Sequence, residues 1–203
     1  MPVDATDDVA KAAHAARTLT DLVAAMRGCT ACAGLAAQRR SVVVGDFPER
    51  RPRLMLVGEA PGAQEDATGR PFVGRAGQLL DALLAEAGLD RASVAVANVV
   101  KCRPPNNRPP TRREAKQCSG WLDRQVALVD PALVVTLGGT ALAWALGPGT
   151  RLRDARGVVH AWRDRRLIAT YHPSAAIRFG PNGEPMAALR ADLHRVREVL
   201  CSS

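Results

Sequence analysis

Large aromatic side chains are scarce: Phe47, Phe72, Trp121, Trp144, Trp162, Tyr171 and Phe179 are the whole set in 203 residues. Any platform on which a ring could stack must come from these few. Lysine is rarer still, with Lys11, Lys101 and Lys116 alone, so arginine supplies nearly all of the 28 basic residues. No run approaches the ~18 apolar residues of a membrane-crossing helix, so a soluble protein without a membrane partner is expected. The first thirty residues carry Asp4, Asp7 and Asp8 and no continuous apolar core. That argues against a secretory signal and an acid-poor presequence, and the cytoplasm is the expected location. The glycine signatures GxGxxG and GxxxxGK[ST] are also missing, which removes support for dinucleotide and Walker-type sites.

What is present is an ordinary globular composition, 47% hydrophobic and 24% charged. A chain of this length forms about one domain and buries roughly 70% of its unfolded surface. Residues 1–10 read as a disordered tail and 11–203 as the domain, and a monomer is expected. The net charge of +8 favours a polyanionic partner, because each cation meeting a phosphate releases a condensed counterion. An arginine skew also follows from genomic base composition, so the charge alone does not decide for nucleic acid.

Along the chain, Leu19, Leu22, Val23 and Met26 place an apolar stripe on a helix over 11–27. Leu54-Met55-Leu56-Val57, stopped by Gly58, reads as a buried strand, and Leu79, Leu80, Leu83 and Leu84 as the next helix. The alternation continues with strands near 94–100, 133–137 and 167–170, helices near 111–129 and 140–146, and a last amphipathic helix through Met186, Leu189, Leu193, Val196 and Leu200. Alternating strands and helices predict a mainly parallel sheet covered on both faces, with function at the strand carboxyl ends. Those ends carry Gly58-Glu59-Ala60-Pro61-Gly62, then Asn98 with Cys102-Arg103-Pro104-Pro105-Asn106-Asn107-Arg108-Pro109-Pro110, and His172-Pro173-Ser174.

Cys29 and Cys32 form a C-x-x-C, Cys102 and Cys118 lie sixteen apart, and Cys201 is a fifth thiol near the end. Four ligands and one spare is the natural division. Four thiolates suit an iron–sulfur cubane or structural zinc. A zinc ribbon usually offers two C-x-x-C pairs, which favours the cluster. Without a metal, Cys118 reads as a small core residue and Cys29/Cys32 as a redox pair.

The string from Gly58 to Leu80, GEAPGAQEDATGRPFVGRAGQLL, together with Asn98-Val99-Val100-Lys101-Cys102-Arg103-Pro104-Pro105 and His172-Pro173-Ser174, closely resembles the family 4 uracil-DNA glycosylases. The resemblance runs from about Cys29 to the C-terminus. It implies a three-layer α/β/α sandwich with a four-stranded parallel sheet and a [4Fe-4S] cluster on Cys29, Cys32, Cys102 and Cys118. The implied reaction is hydrolysis of the N-glycosidic bond of deoxyuridine flipped out of single- or double-stranded DNA, the opening step of base excision repair; repair-machinery partners are left open.

The chemistry of the residues agrees. A base-excising enzyme needs a stacking face, a reader of the Watson–Crick edge and a stabiliser for the departing anion. Phe72 can supply the face, Asn98 can match uracil O4 and N3–H, and His172 can donate to O2. Backbone N–H groups of Glu59 and Ala60, beside a helix start, can assist. Glu59, Ala60, Pro61, Glu65, Phe72, Asn98 and His172 are therefore the expected uracil site, with Glu59, Asn98 and His172 catalytic. Taken singly, Phe72 reads equally as a core anchor, Asn98 as a turn cap and His172 as a loop histidine. Arg103, Arg108, Arg112, Arg113, Ser174, Ile177 and Arg178 are the expected DNA contacts. The last two lie within Ala175–Gly180, which pairs apolar wedges with a cation, as suits a loop entering the space left by the flipped nucleotide, and which reads otherwise as an exposed helix start.

One departure is informative. The best-known branch carries a water-orienting aspartate and a tyrosine guarding uracil C5 in a Gly-Gln-Asp-Pro-Tyr string, where this chain has Ala60 and Gly62. Glu65 is the expected replacement for the tyrosine. The branch that bonds covalently to DNA adds a histidine-bearing insert after the second motif, absent here, so covalent capture is not expected. Two rivals remain from the sequence alone. One is a non-enzymatic iron–sulfur nucleic-acid-binding protein, against which the intact Asn98 and His172 argue; the other is an enzyme of free nucleotides, which would not need the basic loops.

Overall fold

The computed structural model describes residues 5–202. The elements are α1 (Ala5–Ala15), α2 (Leu19–Arg27), α3 (Ala33–Ala36), β1 (Leu54–Gly58), α4 (Ala63–Thr68), α5 (Arg75–Glu86), β2 (Val94–Asn98), α6 (Arg112–Val129), β3 (Leu133–Leu137), α7 (Gly139–Leu146), α8 (Leu152–Ala155), β4 (Val159–Trp162), β5 (Arg165–Thr170), α9 (Pro173–Phe179) and α10 (Glu184–Cys201). Among the described residues no helix is long and apolar enough to cross a membrane.

The sheet order is β2-β1-β3-β5-β4. The first four strands are parallel and β4 pairs antiparallel with β5. The expected four-stranded parallel sheet is thus corrected to a mixed sheet of five. β1, β2 and β3 are buried at every position and are mostly apolar, with Asn98 and Thr136 as buried polar members. Alternate residues feed opposite cores. Met55, Val57, Ala95, Ala97 and Val134 pack with α1, α2, α6 and α7 residues, whereas Leu54, Leu56, Val94, Val96 and Val135 pack with those of α5 and α10. Two cores on the two faces make three layers.

Two further expectations change. Met1 to Asp4 lie outside the described residues, but the chain is already helical from Ala5, where a tail to residue 10 was expected. Val9 and Ala13 of α1 are buried, and Gly120 of α6 lets α1 approach so closely that a Cβ there would lie 3.2 Å from Val9. The expected helix over 11–27 is interrupted: Thr18 accepts from Asp21 N–H while the Asp21 carboxylate accepts from Thr18 N–H, a reciprocal cap that starts α2 afresh.

Candidate active site and cysteine centre

In the parallel register Gly58 lies opposite Asn98, so the first motif and the expected base reader end side by side. A Cβ on Gly58 would stand 2.4 Å from Asn98 Oδ1 and 2.5 Å from Phe72 Cζ. Only glycine leaves room for both side chains over that strand end. Phe72 holds a left-handed backbone, φ 55°, uncommon for a bulky residue, and is buried. Gly77 permits it, since a Cβ there would overlap the Phe72 carbonyl. The Phe72 and His172 ring centroids are 5.7 Å apart at a 36° tilt. Loops 58–62, 72, 98 and 172 therefore meet at the strand carboxyl ends, where open α/β sheets place ligands. Volume alone does not mark this place: a groove of about 700 Å³ lies at the other ends of β1 and β2.

Asn98 is only 3% exposed, and its Oδ1 is buried with no hydrogen-bond partner among the described residues. An unpaired buried acceptor costs about 1–3 kcal/mol, so this atom is poised for a donor from outside the chain. His172 caps α9, and its Nδ1 accepts from Ser174 N–H at 3.2 Å with Ser174 Oγ at 2.8 Å. A neutral ring then carries its proton on Nε2. Burial lowers its pKa to about 4, although the Glu65 charge works the other way. Nitrogen-resolved NMR should accordingly find His172 as the neutral Nε2–H tautomer from about pH 6 to 8, with protonation only near pH 4; an inflection at the ordinary value of 6.5 would contradict this. Because the unfolded chain takes the proton first, the stability gained by burying neutral His172 is complete above pH 6.5 and is lost as pH falls towards 4.

Glu65 Oε2 accepts from Gly62 N–H at 3.1 Å and Oε1 from Gly74 N–H at 2.8 Å, splinting the loops on either side of Phe72. The helix behind the first motif starts at Ala63, with Gly62 as its cap, and not beside Glu59 and Ala60 as expected. Glu59 Oε2 accepts from Thr140 Oγ1 at the start of α7. Sequence reasoning did not name Thr140, and no local signal distinguishes it 81 residues away. It also passed over Lys101, which is 1% exposed and donates from Nζ to the Asn98 carbonyl and Gln125 Oε1, each at 2.6 Å. Burial lowers its pKa to about 8. A lysine directly after Asn98-Val99-Val100 was the available clue, since such a position next to a buried strand forces the amine to find partners inside.

The expected DNA contacts divide. Arg108 is committed to Glu114 by a two-pronged pair, 2.7 and 2.8 Å, which holds the Glu114 carboxyl down to about 2. Arg103 Nε donates to Asn107 Oδ1 at 2.7 Å. Arg112, Arg113 and Arg178 are exposed on the loop side. Ala175–Phe179, expected as a loop, belongs to α9. Ile177 is half-buried there, and Phe179, which was not singled out, is 65% exposed.

Cys29, Cys32, Cys102 and Cys118 all line one small internal cavity, with Cys201 exposed elsewhere. Trp121 Nε1 points at Cys29 Sγ (3.4 Å), Arg39 Nη1 at Cys102 Sγ (3.2 Å) and Lys101 N–H at Cys118 Sγ (3.4 Å). Donors aimed at sulfur suit bound thiolates. Left as free thiols, Cys118, Cys32 and Cys102 resist ionisation: burial pushes Cys118 up to about 12 and Cys32 to about 11, and also raises Cys102. Among the described residues no three His, Cys, Asp or Glu side chains converge on a point where a single metal ion could sit.

Phe72, Asn98 and His172 thus gather at the strand carboxyl ends of a doubly covered α/β sheet that also carries a four-cysteine cavity, and the match to known families is direct. Residues 44–194 match the model of the uracil DNA glycosylase superfamily, and the chain belongs to it. It is 45% identical over 155 residues to a type-4 uracil-DNA glycosylase of Thermotoga maritima, covering 75% of this chain and 80% of the relative. A type-4 enzyme of Saccharolobus solfataricus is 36% identical, covering 90% and 87%. A type-5 uracil-DNA glycosylase of Mycobacterium tuberculosis is 35% identical, covering 80% and 75%.

Proposed function

We propose that this chain, a uracil-DNA glycosylase by family, releases uracil from deoxyuridine in DNA and starts base excision repair with the residues gathered at the strand carboxyl ends. The observation that carries the reading is the buried, unpartnered Asn98 Oδ1 next to the Phe72 ring and a neutral His172. Uracil extruded from the duplex slides over Phe72, its N3–H donates to Asn98 Oδ1, and the Asn98 amide N–H donates to O4. Ala60 and Pro61 line the edge of the slot. As the glycosidic bond breaks, its electron pair goes to N1 and spreads to O2, where His172 Nε2–H donates to the developing anion. Water then adds to C1′ of the sugar cation and loses a proton to solvent. Glu59, fixed by Thr140, orients that water or faces the cation. No covalent bond to the protein forms.

Glu65 stands beside uracil C5 in this reading, held by the two N–H groups it splints. Glu65→Gly should therefore release thymine from a G·T duplex while slowing uracil excision, since the same change unties both loops; continued rejection of thymine would place the gate elsewhere. Phosphates meet Arg103, Arg112, Arg113 and Arg178, and Ser174 N–H and Oγ lie at the same mouth. Arg108 acts by bracing the loop through Glu114. Phe179, with Ile177 behind it, enters the space left by the flipped nucleotide.

Cys29, Cys32, Cys102 and Cys118, which line one cavity with donors aimed at three of their sulfurs, would hold a [4Fe-4S] cluster. It would supply a brace for the loop between Cys102 and Cys118 and take no part in bond breaking. The test of the function is incubation with an oligonucleotide holding one deoxyuridine, followed by alkaline strand scission. Cleavage at that position only, with free uracil released, supports the reading; intact strands, bound or unbound, reject it in favour of a binding protein.

A further inference from the structure

A further cavity, about 510 Å³, opens between the start of α6 and α7. Its size is that of a small-ligand site. Val99, Pro110 and Trp144 give it apolar walls, Arg112 and Lys116 stand at it as cations, and Thr140 belongs to both places, lining this groove while its hydroxyl donates to Glu59. Neither cation is spent inside the protein: among the described residues no hydrogen bond or ion pair engages the side chain of Arg112 or Lys116, and both are exposed. Trp144 is held in place from behind. Its Nε1 donates to Asp123 at 3.1 Å, Trp162 meets it edge-on at 5.2 Å, and the Arg163 guanidinium lies 5.6 Å from its ring. An aromatic ring fixed on one side and lining a groove on the other loses little freedom when something stacks on it.

We infer that this groove holds the nucleotide that directly flanks the deoxyuridine, its base turned against Trp144 and its phosphate between Arg112 and Lys116. The inference rests on the proposed function. Continuity through Thr140 brings the DNA strand to the groove's edge, the paired cations match a phosphate, and the apolar wall matches a base face. Every base has such a face, so the subsite is indifferent to sequence. It favours DNA whose flanking base is free to leave the stack, and so single strands and frayed or mismatched duplexes over intact ones.

The test is equilibrium binding to single-stranded oligonucleotides in which the deoxyuridine carries a 2′-fluoro group that slows bond cleavage. Three DNAs are compared: one intact, one with an abasic residue on the 5′ side and one with it on the 3′ side. Trp144→Ala should weaken binding to the intact DNA at least about 5-fold, the low end for base–aromatic stacking. Trp144→Phe, which keeps a ring and loses the bond to Asp123, should restore most of it. On one of the two abasic DNAs the wild-type and Trp144→Ala proteins should bind equally. Lys116→Gln should reduce the salt slope by roughly 0.7 on every DNA. An equal Trp144→Ala loss on all three DNAs, or no loss on any, overturns the subsite. Uracil release by the wild-type chain is measured separately; if it fails while the pattern above holds, the function is wrong and the nucleotide subsite stands.

Discussion

Replacing His172 or Asn98 with alanine is expected to slow single-turnover uracil excision by at least ~10²-fold each, whereas Glu59→Gln should cost less. A single well-aimed donor to a developing anion is worth ~10²–10³ in rate, about 2.7–4 kcal/mol. His172 qualifies because Ser174 N–H occupies Nδ1 and leaves the ring proton on Nε2, and because burial keeps the ring neutral down to about pH 4. Asn98 qualifies because its acceptor has no partner among the described residues. Glu59 matters less if the bond breaks first, since water adds readily to an oxocarbenium-like cation. Were Glu59→Gln the most damaging change, abolishing an acidic limb of the pH–rate profile, Glu59 would be a general base and the dissociative account would fail.

The second large effect concerns the cysteines. Protein purified without air should be brown and hold about four iron and four sulfide per chain. Cys102→Ala should lower the thermal midpoint by at least about 10 °C, a loss of several kcal/mol at ~2–4 °C per kcal/mol for a chain of this size, and weaken DNA binding with it. The link would be physical: Cys102 and Cys118 bracket the segment bearing Arg103, Arg112 and Arg113, and a cluster shared with Cys29 and Cys32 would tie it to the loop after α2. Zinc in place of iron would contradict the cluster, and a well-folded, fully active Cys102→Ala protein lacking iron would contradict its bracing role.

Where the sequence was legible, one element's own residues carried the signal. β1 is an unbroken apolar run up to Gly58 and β3 one interrupted by the buried Thr136, because both faces are covered, and their bounds follow from composition. β4 was not legible: Val-His-Ala-Trp at the sheet edge has only Trp162 buried, and the hairpin after it turns on Arg163 and Asp164, both at positive φ without a glycine to announce it. α1 escaped notice because Val9 and alanines form its buried stripe, too small to stand out until Gly120 admits them. The site divides the same way. Phe72, Asn98 and His172 stand in motifs at strand ends, but Thr140, Lys101 with Gln125, and Trp144 gain their roles from neighbours distant in the chain. Arg108 shows the reverse limit: its charge is plain in the sequence, and only the fold reveals that Glu114 takes it.

The central claim is that Asn98 Oδ1 receives the N3–H of uracil. The most direct measurement is single-turnover excision from paired oligonucleotides that differ only in a methyl group on uracil N3. The account predicts that N3-methylation lowers excision by at least ~10²-fold, because the methyl removes the donor and collides with a buried oxygen. Equal excision of both bases would contradict it.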